Sequence, residues 1–135
     1  MNEISVYIEA EINPTEDIEK VKRAVENVFG NVEFEVKPKE RGSTLVGKAK
    51  GLDGLTKLQN LLRRERIREA ARGALFEGLG EKSMIFYLNK QVAYVSHISF
   101  SRPEAESPLD PIKVQIQCDN PRELIDWLAS KTIKS

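Results

Sequence analysis

The sequence predicts an α+β fold: one mixed, largely antiparallel sheet with helices packed on one of its faces. Three observations carry that expectation. Most strand-like segments alternate apolar and polar residues with a period of two, the mark of a strand with one buried and one wet face. Between them, apolar residues recur at helical spacing behind recognisable cap residues. The chain has 135 residues, close to the modal size of one domain, and no repeat or linker divides it. It therefore reads as a single domain over residues 1–135, in the order β-α-β-β-α-α-β-β-β-α, with the far side of the sheet open.

In the first segment Ile4, Val6, Ile8, Ala10 and Ile12 share one face, and Glu3, Ser5, Tyr7, Glu9 and Glu11 share the other. Asn13-Pro14-Thr15-Glu16 then reads as a helix start, with Asn13 as cap, Pro14 in the first turn and Glu16 returning a capping-box contact. Ile18, Val21, Ala24, Val25 and Val28 give its buried stripe, and Gly30-Asn31 stops it. Val32, Phe34 and Val36 alternate with charged residues as a second strand. After a charged loop, residues 44–50 form a third, with Lys48 and Lys50 on one face.

Asp53 is a candidate cap for the next helix, whose stripe is Leu55, Leu58, Leu61 and Leu62. Beyond it the apolar residues are Ile67, Ala70, Ala71 and Ala74, about half a turn away on a helical wheel. One straight helix cannot present both stripes to one core, so a break is expected near residues 63–66. Gly78 and Gly80 end the helical region. Residues 83–88 (SMIFYL) read as a strand and Asn89-Lys90 as a tight turn. Val92, Tyr94, Ile98 and Phe100 follow as the return strand of a hairpin. After a proline-rich loop, Ile112, Val114, Ile116 and Cys118 mark a last strand. Asn120-Pro121 opens a terminal helix with Leu124, Ile125, Trp127 and Leu128 for burial, and residues 131–135 read as a frayed tail.

The formal net charge is zero, but it is unevenly spread. Residues 1–40 carry 5 Lys/Arg against 10 Asp/Glu, residues 41–102 carry 12 against 5, and residues 103–135 carry 4 against 6. Five of the nine arginines fall within ten residues, in LLRRERIREAARGAL. On the second helical piece Arg64, Arg68 and Arg72 stand at i, i+4 and i+8 and make a ridge that advances about 6 Å per step. Guanidinium groups grip phosphate bidentately and stay charged, so this ridge is the leading candidate for a polyanion contact. Lys48 and Lys50 are candidates to extend it. The competing readings are a solvated helix face, with Glu65 and Glu69 as local ion-pair partners, or arginines that cap carbonyls at the break.

Catalytic signals are weak. His97, the only histidine, stands near Ser96 and Ser99, without a nucleophile elbow or a clear third member. A packed or solvated histidine is the preferred reading, and hydrolase chemistry a remote one. Cys118, the only cysteine, lies on an apolar strand face and reads as a buried, inert thiol. One cysteine points to a reducing, cytoplasmic setting, and no apolar run approaches a membrane span. No cofactor or metal motif occurs. The wet sheet positions include Tyr7 but are mostly glutamate, lysine and glutamine. RNA stacking across the sheet is therefore not expected, because glutamates in the first two strands repel phosphate.

Three stretches together, LLRRERIREAARGAL, FYLNKQVAYVSHISF and SPLDPIKVQI, resemble a family of small archaeal proteins predicted to bind RNA and linked by prediction to the exosome. The resemblance covers most of the chain. It implies a fold like that of the large-subunit ribosomal protein that holds 5S RNA, and thus a ribosomal-protein-like sheet with helices on one face. The family's arginine-rich helix maps onto Arg63, Arg66 and Arg72, and its hairpin turn onto Asn89, Lys90 and Gln91. Its Ser-Pro-Leu loop maps onto Ser107, Pro108 and Leu109, with Asp110 where glycine is expected.

The sequence thus leads to a non-enzymatic RNA-binding protein. Its phosphate contacts would come from Arg63, Arg64, Arg66, Arg68 and Arg72, with Lys48, Lys50 and Lys90 flanking. The alternative is a protein-interaction or structural subunit of a larger complex, with no nucleic-acid contact.

Overall fold

The computed structural model describes residues 3–102 and 110–131. The Ser107-Pro108-Leu109 loop of the sequence reading lies outside the described residues. Six strands form one sheet in the order β2-β3-β1-β6-β4-β5, and every neighbouring pair is antiparallel. They are β1 (Ser5–Ile12), β2 (Glu33–Pro38), β3 (Ser43–Lys50), β4 (Ser83–Leu88), β5 (Phe100–Ser101) and β6 (Ile112–Gln117). The expected mixed sheet is thus corrected to an antiparallel one. The helix after β1 brings β2 back parallel to β1, but β3 folds back from β2 and takes the place between them.

Alternation does what it predicts. Along β1, Val6, Ile8, Ala10 and Ile12 are buried, and along β6 so are Ile112, Val114 and Ile116. Among the described residues these meet five helices: α1 (Ile18–Val28), α2 (Thr56–Arg64), α3 (Arg68–Glu77), α4 (Lys90–Ala93) and α5 (Pro121–Leu128). α1 contributes Val21, Ala24, Val25 and Val28, α2 contributes Leu58, Leu61 and Leu62, and α5 contributes Leu124, Ile125 and Leu128. At roughly 2 kcal/mol per fully buried aliphatic side chain, this single layer of helix on sheet is the main stabilising term. The opposite face of the sheet is mostly polar, with Val46 and Ile85 as apolar exceptions.

Glycine is required where α3 ends. A Cβ on Gly78 would stand 1.8 Å from the Ile85 carbonyl oxygen, because β4 runs directly against the helix end. Ile85 N–H donates to the Gly78 carbonyl at 3.0 Å and fixes that approach.

Three local expectations are corrected. Asn13 and Glu16 do make the capping-box contact, with Asn13 N–H donating to Glu16 at 2.9 Å, but the helix starts later, capped by Asp17. Asp53 caps nothing; it sits in a 3-10 turn (Leu52–Leu55) that leads into α2. Asn89-Lys90 is not a hairpin turn. Asn89 caps α4 by accepting from Val92 N–H, and the return strand shrinks to β5.

Candidate nucleic-acid interface

The expected break is present, and its geometry is specific. α2 ends at Arg64 and α3 starts at Arg68. Arg66 N–H bonds the Arg63 carbonyl and Ile67 N–H reaches back to the Leu62 carbonyl at 3.2 Å. Arg66 has φ 58°. This paired pattern, with one left-handed residue, is the Schellman ending of a helix, whose left-handed position normally holds glycine. Here it holds arginine, against a cost of roughly 1 kcal/mol for a side chain in that region. The half-turn swing of the apolar stripe is resolved at this point. Leu58, Leu61 and Leu62 are buried before it, and Ala71 and Leu75 after it.

α3 begins without a side-chain cap, because Ile67 stands at its N-cap. The backbone N–H groups of Arg68, Glu69 and Ala70 have no acceptor among the described residues. These three residues, with Arg63, Arg66 and Ile67, line a hollow of about 500 Å³. Uncapped helix starts carry partial positive charge and unsatisfied donors, which suit an anion. Arg63 and Arg66 are exposed, and neither has an ion-pair or hydrogen-bond partner for its side chain among the described residues. Arg68 is half-buried, with one guanidinium nitrogen donating to the Ser130 hydroxyl at 3.0 Å.

The break divides the expected ridge. Arg64 is exposed but turned toward the α4–β5 connection, donating to the Ser96 carbonyl at 3.3 Å. Arg72 is only 13% exposed and bridges to Asp126 at 2.8 Å and to the Ala129 carbonyl at 2.9 Å. Its guanidinium also lies 5.2 Å from the centroid of the Phe76 ring. Arg72 therefore ties α3 to the carbonyl end of α5, and Arg64, Arg68 and Arg72 do not form one ridge. A regular helix through Arg64 was the premise of that expectation, and the left-handed turn at Arg66 removes it.

The flanking lysines are also redistributed. Lys48 and Lys50 are exposed on the open face of the sheet, opposite the helical layer that holds Arg63 and Arg66. They do not extend the arginine patch. Lys90 is buried at 1% exposure and donates to the Glu11 carbonyl and to the Glu16 carboxylate at 3.1 Å. Tyr94 OH donates to the same carboxylate at 2.8 Å. Burial pushes the Glu16 carboxyl up, but the Asn13, Tyr94 and Lys90 hydrogen bonds and the Lys90 charge outweigh it and hold it below its ordinary range. Burial, then Glu16, pushes the Tyr94 phenol well up. Lys90 is thus a clasp between β1, the start of α1 and α4, and the expectation that it flanks an RNA contact is corrected.

His97 lies in the connection after α4, not in a strand, and is exposed. Its Nδ1 is 3.2 Å from Glu65, which also accepts from Ile98 N–H. Neither Ser96 nor Ser99 bonds its ring among the described residues. Cys118 is buried, and burial pushes its thiol up. Among the described residues no group of three or more His, Cys, Asp or Glu is placed to hold a metal ion. No described helix is long and apolar enough to cross a membrane.

The uncapped start of α3 escaped the sequence reading, although its signal was present. An apolar Ile67 stands where Ser, Thr, Asp or Asn is expected before a helix.

Comparison with known proteins places this chain in a family. A family model described as RNA binding matches residues 5–118. A UPF0201 protein of Aeropyrum pernix is 44% identical over 97% of this chain and 88% of its own length. Another, of Sulfurisphaera tokodaii, is 46% identical over 96% and 89%. The crystal structure of a UPF0201 protein from Methanococcus jannaschii superposes with a TM-score of 0.86 at 34% identity, covering 96% of this chain and 95% of that one. A DUF54 protein from Methanothermobacter thermautotrophicus shares the fold, with a TM-score of 0.61 at 22% identity over 95% and 99%.

Proposed function

The chain belongs to the UPF0201 family of archaeal proteins, and we propose that it binds RNA without catalysis, holding backbone phosphate at the break between α2 and α3. One observation carries the reading: the uncapped N-terminus of α3 lines the same hollow as Arg63, Arg66 and Arg68. A phosphate there meets unsatisfied N–H donors and three guanidinium groups against one carboxylate, Glu69. Retaining arginine at a left-handed position supports the reading, since backbone strain is commonly kept where a side chain has work to do. Arg63 and Arg64 in the last turn of α2 also complement its carbonyl end, so part of the cluster's charge is explained by the helix itself.

The exosome link and the kinship with the 5S-RNA-holding ribosomal protein, implied by the resemblance, belong to this proposal. Both name partners of the kind such a clamp suits. A partner protein adding a strand to β2 is the other reading, because β2 is an outer strand of the sheet. Its exposed charges and terminal Pro38 disfavour strand addition, so RNA is preferred.

The test is binding of structured RNA to the full chain across a salt series. With three arginine contacts, the slope of log affinity against log salt should be about −2 to −3. Arg63→Ala/Arg66→Ala should weaken binding at least about tenfold at low salt and flatten the slope by about two. A wild-type affinity that does not respond to salt, or a double variant that binds as wild type, sinks the reading.

A further inference from the structure

The open face of the sheet holds a second basic feature that the helix break does not explain. Strand register places Lys48, Tyr7 and Gln115 side by side in one row, and Lys50, Ser5 and Gln117 in the next. Ser5 is the small residue among these six, and the surface sinks into a depression of about 370 Å³ that all six line. One rim carries two ammonium groups, and neither has a salt-bridge partner among the described residues. The other rim carries two carboxamides. The Tyr7 ring stands at one end, its hydroxyl donating to Glu9 at 3.2 Å.

Charge on this face is mixed along the strands, with Lys37 and Lys113 in register with the acidic end and Glu3 beside Ser5 at the other. Glu9, Glu11 and Glu35 lie toward the opposite end from Lys50, and Thr44 and Lys39 already bond Glu11. Glu33, beside Lys48, is the acid nearest the basic rim in register. The general repulsion expected from acidic strands is strongest where Glu9, Glu11 and Glu35 cluster, and at the depression Lys48 and Lys50 offset the nearby Glu33 and Glu3.

We propose that this depression binds one unpaired nucleotide of single-stranded RNA, its base against Tyr7, its phosphate on Lys48 and Lys50. The grid is about two strand spacings wide and one alternate-residue step long, roughly 10 by 7 Å, the scale of a base with its phosphate. Aromatic rings stack on any base, ammonium groups take phosphate, and the paired donor and acceptor of Gln115 and Gln117 suit a base edge. The proposal rests on RNA being the family's ligand but not on the arginines, which lie on the other side of the sheet. It makes the chain a two-sided binder, with structured backbone at the helix break and an unpaired base on the sheet.

The test measures fluorescence anisotropy of the full chain with two labelled probes, hexauridylate and an RNA hairpin with a long duplex stem. Tyr7→Ser should weaken hexauridylate about tenfold, Tyr7→Phe should restore it, and Lys50→Glu should weaken it by a similar factor. All three should leave the hairpin within about twofold of wild type, since Arg63 and Arg66 are untouched. Ultraviolet crosslinking should attach uridine to the peptide that contains Tyr7. Tyr7→Ser and Lys50→Glu variants that both bind hexauridylate as wild type overturn the proposal. If Arg63→Ala/Arg66→Ala abolishes hexauridylate binding in the same series, the arginine reading survives alone. If wild type binds neither probe at low salt, both readings fall.

Discussion

Replacing Lys90 by methionine separates two roles that the sequence leaves entangled. Lys90 falls within the basic middle of the chain, but its ammonium is fully buried against Glu16 and the Glu11 carbonyl. Removing one partner of a buried pair costs about 3–5 kcal/mol, because the other charge is left without its counterion. Glu16 keeps the Asn13 N–H and the Tyr94 hydroxyl, and methionine fills most of the lysine stem, so the lower end applies, about 3 kcal/mol. For a chain of this length that is a fall in Tm of about 10 °C. Urea unfolding should show a lower midpoint with an unchanged m-value. Lys90→Met/Glu16→Leu should be less destabilised than the sum of the two single variants, since the orphaned charge is gone. RNA affinity of folded Lys90→Met, measured well below its midpoint, should stay within about twofold of wild type. A loss of stability under about 1 kcal/mol would refute the clasp, and a large loss of RNA affinity in the folded variant would return Lys90 to the binding surface.

Arg66→Gly relieves the left-handed strain while deleting a phosphate contact. Stability should rise by up to about 1 kcal/mol in urea, and RNA affinity should fall. Arg72→Met should do the reverse, costing about 1–2 kcal/mol through its lost bonds to Asp126 and the Ala129 carbonyl and leaving RNA affinity unchanged. Gly78→Ala forces a methyl group onto the Ile85 carbonyl and should cost at least about 2 kcal/mol, read as lost soluble yield or a lowered urea midpoint. Glu16 has a folded pKa below its unfolded one, so its stabilisation is complete above the unfolded value and is lost as pH falls through the folded value. The stability gap between wild type and Glu16→Gln should accordingly close in acid, measured by urea titration from pH 7 to about 2.5.

The elements legible in the sequence are those whose signal is local. Alternation in β1 and β6 reports the face each residue takes, and the Asn120-Pro121 start of α5 forms as read, with Asn120 accepting from Glu123 N–H. The break at Arg66 was legible because a change of apolar stripe leaves a single helix no other way to serve one core. What escaped depends on contacts distant in sequence. Asn89-Lys90 suits a turn and a helix cap equally well, and the choice is made by Glu11 and Glu16, more than seventy residues earlier. Distance in sequence, here more than fifty residues, also conceals the fate of Arg72, whose acceptors lie on α5 and at its C-cap. Local charge counts place a cation near a surface, but cannot say whether another helix end already holds it.

This separation within one short stretch bears on the site itself. An arginine that bridges an aspartate and a helix end has given its donors to the fold, and a phosphate must displace those bonds before it gains any. Arg72 is in that position, and Arg68 partly so through Ser130. Arg63 and Arg66 have no such bonds to break among the described residues, so a ligand keeps the full charge-assisted hydrogen bond there. The difference per arginine is about 1.5–3 kcal/mol, the range of a hydrogen bond to a charged group. Under the proposed function, Arg63 and Arg66 therefore carry most of the cluster's affinity for phosphate, next to the helix start whose own donors are unfilled among the described residues. Arg64 and Arg72 give donors to the fold while Arg63 and Arg66 keep theirs, because helical spacing turns Arg63 away from Arg64 and the left-handed turn at Arg66 sets α3 on a new course.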